Sequence, residues 1–368
     1  MVKYFQNANI QQRILERLTH SIVNQRLAHA YLFYGQEGCG KEALAFEIAK
    51  AVNCNNNNLR PCNSCDSCNK ILQLKHPDVK FIFPISNNWS IDDIKERINL
   101  KASNPYSKID LSGHTIISID RIRELKNESK YATYEAVKKV YIISDADKLT
   151  RESANSFLKL LEEPPANLLI ILITTSVNSI LETIRSRCHL IYFPPLSYSE
   201  ALSIVTKYRP DTDEVQRAVH MAQGNLKAIF QMLENNIEQK SQLIYEYMKA
   251  IAGGNPLSIM EIVDMLTKRR DKNFLMDILN LLTLWFQDVM HLVALGIDTE
   301  IINVDFKEEL RRFTQSYRYS NFENIVEEIE NALNKLHKNV YHPLILTVLA
   351  IHIKKNLIRH NGKNWNDI

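Results

Sequence analysis

The most apolar run in the chain, Leu168 to Thr174, suits a buried strand and is far too short to span a bilayer. The first residues, Met1 to Asn7, carry no apolar stretch of signal-peptide length. Both absences lead to the expectation of a cytoplasmic protein with no membrane association. In that reducing compartment the six cysteines call for a metal or a packing explanation before a disulfide one. A strong charge of one sign is lacking too. The 45 Lys and Arg residues against 42 Asp and Glu leave only +3, so any basic surface for nucleic acid must be local. Internal repeats are also missing. What remains is the composition of an ordinary globular protein, and 368 residues suffice for two or three domains.

The first half alternates strands and helices. Tyr31 to Tyr34 reads as a short buried strand, followed by a glycine-rich turn and a helix over Glu42 to Val52. Val140 to Ile143 and Leu169 to Ile173, rich in β-branched residues, read as further strands. Between them Ala154, Phe157, Leu158 and Leu161 recur at helical spacing over Arg151 to Glu163, and Pro164-Pro165 ends that helix. Strands separated by helices imply an α/β fold, a parallel sheet with helices on both faces. Leu190 to Phe193, followed by Pro194-Pro195, reads as a last strand and a domain exit.

Beyond Ser197 no strand signal stands out. Short helices are expected over Ser199 to Lys207, Asp213 to Gln223 and Leu226 to Asn235, and a long helical pattern from about Lys240 to Leu357. The expected division is an α/β domain over 1–197, a small all-α domain over 198–238 and an all-α bundle over 239–368. Asn55 to Asn58 reads as a loop, and the polar tail Arg359 to Ile368 as a frayed end.

Gly35-Gln36-Glu37-Gly38-Cys39-Gly40-Lys41 matches GxxxxGK between a strand and a helix. In that setting the glycines let backbone N–H groups wrap a phosphate, the helix N-terminus adds positive potential, and Lys41 reaches the outer phosphates. The plain alternative is a tight turn. The residue after the lysine should be Ser or Thr, whose hydroxyl binds Mg²⁺. Here it is Glu42, whose carboxylate adds negative charge beside a triphosphate, although it also suits the first turn of a helix. The second half of such a site is an apolar strand ending in Asp-Glu. This strand ends Ile143-Ser144-Asp145, with Ser144 at the metal-binding position and the shorter Asp145 at the next. Two independent losses at one site argue against hydrolysis by this chain.

Cys54, Cys62, Cys65 and Cys68 run C-x7-C-x2-C-x2-C. Four thiolates at this spacing can close a tetrahedral Zn²⁺ site with no open position, which makes the metal structural. Free thiols or disulfides are the alternative. Cys39 and Cys188 are expected to be packed singly.

Four stretches together resemble one family. They are His29 to Phe33 before the phosphate loop, the four-cysteine module after it, Leu158 to Pro165, and Thr183-Ile184-Arg185-Ser186-Arg187-Cys188. Their order and spacing are similar to the bacterial DNA polymerase III clamp loader, a branch of the AAA+ ATPases, densely from about residue 6 to 195. Beyond that the resemblance rests on Gly224-Asn225-Leu226-Lys227 and on helical character. Because the loop hydroxyl and the acidic pair are both gone, the chain resembles the delta-prime-type branch and not the gamma/tau ATPases. The resemblance implies an AAA+ P-loop module carrying a zinc module, a helical lid and a helical collar. It also implies partners: gamma/tau and delta subunits in a hetero-pentamer, the β sliding clamp, and primer–template DNA.

It further implies roles for single residues. Arg187 of the Ser-Arg-Cys triplet would be an arginine finger acting in trans on a neighbour's ATP, where a guanidinium is worth roughly three to five decades in rate. Thr175 falls at the sensor position after the Leu169 to Ile173 strand, and Lys227 replaces an arginine often found at the second sensor. With Gly35, Gly38, Gly40 and Lys41, these are the residues that would face any remaining ATP or ADP. Arg123 and Lys159 occupy positions that would face duplex phosphates, with surface salt bridging as the plain alternative. The connection Ser86 to Gly113 is longer than usual for the family and is assigned no role. Two other readings stay open: an active gamma-like ATPase, and a zinc-bearing DNA-binding scaffold on a degenerate P-loop fold.

Overall fold

A computed structural model describes residues 3–5, 11–86, 88–107, 109, 111, 114–210, 212–234, 237–268, 271–296, 301–338 and 340–358. The expected frayed tail, Arg359 to Ile368, lies outside them, as do Asn87, Lys108, Asp110, Ser112 and Gly113 of the long connection. The chain divides into two compact units. The first is Met1–Arg209 with Ala222–Gln231, and the second is Pro210–Met221 with Met232–Ile368.

The first unit is an α/β sandwich. Two short strands, β1 (Lys3–Tyr4) and β3 (Leu59–Arg60), pair in parallel as a separate small sheet. The main sheet has five parallel strands in the order β4-β5-β6-β2-β7, with β2 Ala30–Gly35, β4 Val79–Ile82, β5 Lys139–Ile143, β6 Leu168–Thr174 and β7 His189–Phe193. Register places Leu32 between Leu172 and Leu190. All seven residues of β6 are buried, because a strand covered on both faces has no solvent side and reads as a continuous apolar run. Strand β4 was missed by the sequence reading. Its Val79-Lys80-Phe81-Ile82 is a short edge strand with only its ends buried, which leaves a weak pattern.

Alternation along the strands sends residues to opposite faces. Ala30, Leu32, Tyr141, Ile170 and Leu172 share one apolar cluster with Ile122 and Leu125 of α5 (Ile119–Glu128) and with Phe157 and Leu161 of α6 (Arg151–Glu162). Helix α2 (Lys41–Asn53) packs against β5 and β6, with Leu44, Ala45, Ile48 and Ala49 buried. The remaining helices of this unit are α1 (Gln12–Val23), α3 (Asp66–Leu72), α4 (Ile91–Ser103), α7 (Glu182–Arg185) and α8 (Tyr198–Val205). Helix α4 starts on a capping box, with the Asp93 N–H donating to Ser90 Oγ and the Ser90 N–H donating back to Asp93 Oδ2. The first turns of α10 (Leu226–Glu234) also belong to this unit.

The second unit is helical among its described residues. It comprises α9 (Asp213–Met221), α11 (Ile237–Gly253), α12 (Pro256–Thr267), α13 (Lys272–Leu295), α14 (Lys307–Tyr317), α15 (Phe322–His337) and α16 (His342–Asn356). Within α13, Phe274–Leu295 is long and apolar enough by length and composition to cross a membrane, although it is less apolar per residue than Leu168 to Thr174. Its Leu275, Ile278, Leu282, Trp285, Phe286 and Val289 are buried where α13 packs against α9, α11, α14 and α15. That packing makes it the core helix of the bundle.

Candidate functional site

The phosphate loop lies where its pattern places it, between β2 and α2. Gly38 and Gly40 take positive φ angles of 74° and 85°, and a Cβ on Gly38 would sit 1.7 Å from Asn225 Oδ1. Only glycine lets the loop approach α10 that closely. The contact is completed by the Leu226 N–H, which donates to the Gly38 carbonyl at 2.9 Å. Lys41 turns back on its own loop. Its Nζ donates to the carbonyls of Gly35 and Gln36, both at 2.6 Å, and burial pushes its pKa down.

Glu42 is buried and bonded on both oxygens. Oε2 accepts from Lys101 Nζ, Oε1 accepts from Ser144 Oγ, and Lys227 Nζ lies 3.5 Å from Oε1. Burial alone would raise this carboxyl, but the charges of Lys101 and Lys227 and the two hydrogen bonds outweigh it and hold the pKa at about 2. Lys101 is completely enclosed. It also donates to the Ser107 carbonyl at 2.7 Å, and burial pulls its pKa down while Glu42 opposes the shift. Burial lowers Lys227 as well, but Glu42, Asp145 and Glu37 outweigh it and leave its pKa raised. Asp145 is raised by burial, with Lys227 opposing.

This arrangement assigns a structural part to the connection that carried none in the sequence. Helix α4 lies in it and delivers Lys101, while Pro105 and Tyr106 help to line the remaining cavity. Tyr106 is fixed by ring contacts with Tyr208 and Phe230 at 5.9 and 6.3 Å. The cavity beside Glu37, Lys41, Ser144, Asp145, Thr175 and Lys227 measures about 30 Å³, room for roughly two waters. The two losses are therefore not independent, since Ser144 is the hydrogen-bond partner of Glu42.

The structure thus brings Gly38, Gly40, Lys41, Thr175 and Lys227 to one cavity, with Gly35 holding Lys41. Sequence reasoning missed Lys101 and Thr174, and gave Asn225 no role beyond its place in Gly224-Asn225-Leu226-Lys227. Thr174 is the buried hydroxyl at the end of β6 and donates to Asp147 Oδ1 at 2.9 Å. Arg187 stands apart from this cavity, just before β7. Its Nη2 meets Glu162 Oε1 at 2.8 Å, and its Nη1 donates to the Thr183 carbonyl at 2.8 Å. Arg123 and Lys159 are exposed on α5 and α6, which pack together, and Arg123 pairs with Asp120 at 3.3 Å.

The sulfurs of Cys54, Cys62, Cys65 and Cys68 lie within 4.8 Å of one another, and Cys54 Sγ is 4.0 Å from Cys65 Sγ. Tetrahedral zinc with thiolates at about 2.3 Å sets sulfurs about 3.8 Å apart, whereas a disulfide needs about 2 Å. Backbone N–H groups of Cys62, Cys65 and Cys68 point at the sulfurs of Cys54, Cys62 and Cys65, at 3.4, 3.3 and 3.5 Å. Such donors stabilise thiolates. The four cysteines fit a metal such as zinc. Cys39 and Cys188 are buried elsewhere.

The family model described as "DNA polymerase III, delta subunit" matches residues 10–197, about half of the chain. The delta' subunit of DNA polymerase III from Bacillus subtilis is 27% identical over 335 residues, covering 90% of this chain and 92% of that one. The gamma/tau subunit from Mycoplasma pneumoniae is 31% identical over 240 residues, 63% of this chain but only 31% of its own length. A gamma-subunit-related protein from Thermotoga maritima aligns over 93% of this chain and 99% of its own at 16% identity, with a TM-score of 0.44. With its P-loop sheet, its cysteine module and this match, the chain belongs to the DNA polymerase III delta-subunit family of clamp-loader subunits.

Proposed function

We propose that this chain is the delta-prime-type subunit of a DNA polymerase III clamp loader. It does not hydrolyse ATP itself, and it supplies Arg187 to the ATP site of an adjacent ATPase subunit. The observation that carries the first half is the bonding of Glu42. The positions that would share Mg²⁺ in a hydrolysing P-loop site are bonded to each other and to a lysine. A carboxylate engaged with Lys101 and Ser144 has no role to offer a metal-bound triphosphate.

The placement of Arg187 supports the second half. It is half exposed, and its partner Glu162 is a surface carboxylate. A surface ion pair of that kind is worth at most about 1 kcal/mol, so a neighbour's γ-phosphate competes for the guanidinium easily. On this reading residues 1–197 are the AAA+ module, 198–238 the lid and 239–368 the collar that joins the ring. Zn²⁺ on Cys54, Cys62, Cys65 and Cys68 holds the cysteine module together. The partners are gamma/tau and delta subunits, the β clamp and primer–template DNA, with phosphate contacts from Arg123 and Lys159, and the protein works in the cytoplasm. Co-purification from the native cell tests this assignment. An ATPase with an intact P-loop and a sliding clamp should come with the chain, and their absence would reject it.

A further inference from the structure

In a P-loop site that hydrolyses nucleotide, a divalent cation sits between the hydroxyl after the loop lysine and the acidic residue at the end of the neighbouring strand. Here those positions are Glu42 and Ser144, and the cationic group bonded there is the ammonium of Lys101. The helix that brings it comes from the long connection between β4 and α5, not from the P-loop frame. The charged side chains at the centre of the site already have internal partners. Lys41 is bound to the carbonyls of Gly35 and Gln36, Glu42 to Lys101 and Ser144, and Lys101 to Glu42 and Ser107. The cavity left over, about 30 Å³, falls far below the roughly 300 Å³ or more that a small-molecule pocket needs.

We propose that Lys101 is a built-in substitute for the divalent cation, and that α4 is a plug making the phosphate loop a closed structural joint that takes neither Mg²⁺ nor a Mg²⁺-bound nucleoside triphosphate. The inference deepens the non-hydrolysing reading and rests on it. The residues present do not fit the ligand that the P-loop pattern implies, and they fit one another. Chemically, a monovalent cation attached to the fold replaces a divalent one that would come and go. The joint is therefore set on folding and is the same whatever the nucleotide level. Gly38 then serves to let the loop press on Asn225, and Lys227 to balance Glu42 and Glu37.

The test is a thermal-melting cycle on the full chain combined with calorimetry. The wild type should show no heat of binding and no shift of Tm on titration with millimolar Mg·ATP. Lys101→Met should lower Tm by about 5 °C or more, because it leaves the Glu42 carboxylate buried without its ammonium. Glu42→Gln/Lys101→Met should recover at least half of that loss. If Lys101→Met does not fold, the double variant still decides the matter, since the inference requires it to fold. A wild-type Tm that rises with Mg·ATP, an unchanged Tm in Lys101→Met, or a double variant no better than the single one would overturn it. Nucleotide binding by the wild type together with normal loader assembly would remove the plug and leave the subunit assignment standing. Failure to assemble with a loader would do the reverse.

Discussion

Ser144 Oγ donates a hydrogen bond to Glu42, so two of the positions at which this chain departs from a hydrolysing P-loop site are bonded to each other. One substitution is the partner of the other, and a lysine from a separate helix completes the set. Reverting one position should therefore not repair the site. Glu42→Thr, which restores the P-loop motif on paper, leaves Lys101 buried without its counter-charge. It should cost about 3–5 kcal/mol in urea unfolding and give no ATP turnover. Ser144→Ala removes only one hydrogen bond to a charged group and should cost about 1.5–3 kcal/mol.

Acid should expose the same pair. The folded-state pKa of Glu42 is about 2, depressed from 4.5, so its contribution is fully present above pH 4.5 and is lost as pH falls toward 2. The shift corresponds to ~3 kcal/mol. Asp78 acts with the same sign. Burial would raise its carboxyl, but the N–H groups of Tyr134, Glu135 and Ala136 donate to it and lower its pKa. Urea midpoints measured from pH 5 to pH 2.5 should fall steeply in the wild type. In Glu42→Gln they should start lower and fall less.

The cysteine module should hold one zinc per chain by elemental analysis of protein purified without chelator. Removing the metal with a strong chelator should lower the Tm of the first unit. Cys65→Ala should abolish stoichiometric zinc and loosen α3, because Cys65 caps that helix by accepting from the Cys68 N–H. Stoichiometric metal in Cys65→Ala would remove the four-thiolate site.

Much of this was legible in the sequence because its causes are local. Val140 to Ile143, Leu169 to Ile173 and the GxxxxGK turn announce a buried parallel strand and a phosphate loop by residue type alone, and they lie where expected. The C-x2-C steps likewise force sulfurs together within a few residues. Lys101 was not legible. It sits 59 residues from Glu42 on a helix whose mixed sequence looks like any solvated one, and only the tertiary fold shows that this lysine points inward. Strand β4 was obscured by its edge position, whereas α13 lies within the long helical pattern expected from Lys240 to Leu357.

Arg187 carries the central claim, that this subunit gives a charge to a neighbour's chemistry while doing none of its own. Glu162 holds the guanidinium in the isolated chain, and Thr183 orients it. The direct measurement is the DNA-stimulated ATPase of a loader reconstituted with wild-type, Arg187→Ala or Arg187→Lys subunit, beside the isolated chain. The account predicts no turnover by the isolated chain and unchanged assembly of all three loaders. It also predicts a loss of at least about tenfold at the adjacent site for Arg187→Ala, with little recovery in Arg187→Lys, because an ammonium lacks the planar fork of a guanidinium. Equal rates in wild-type and Arg187→Ala loaders, or turnover by the isolated chain, would contradict it.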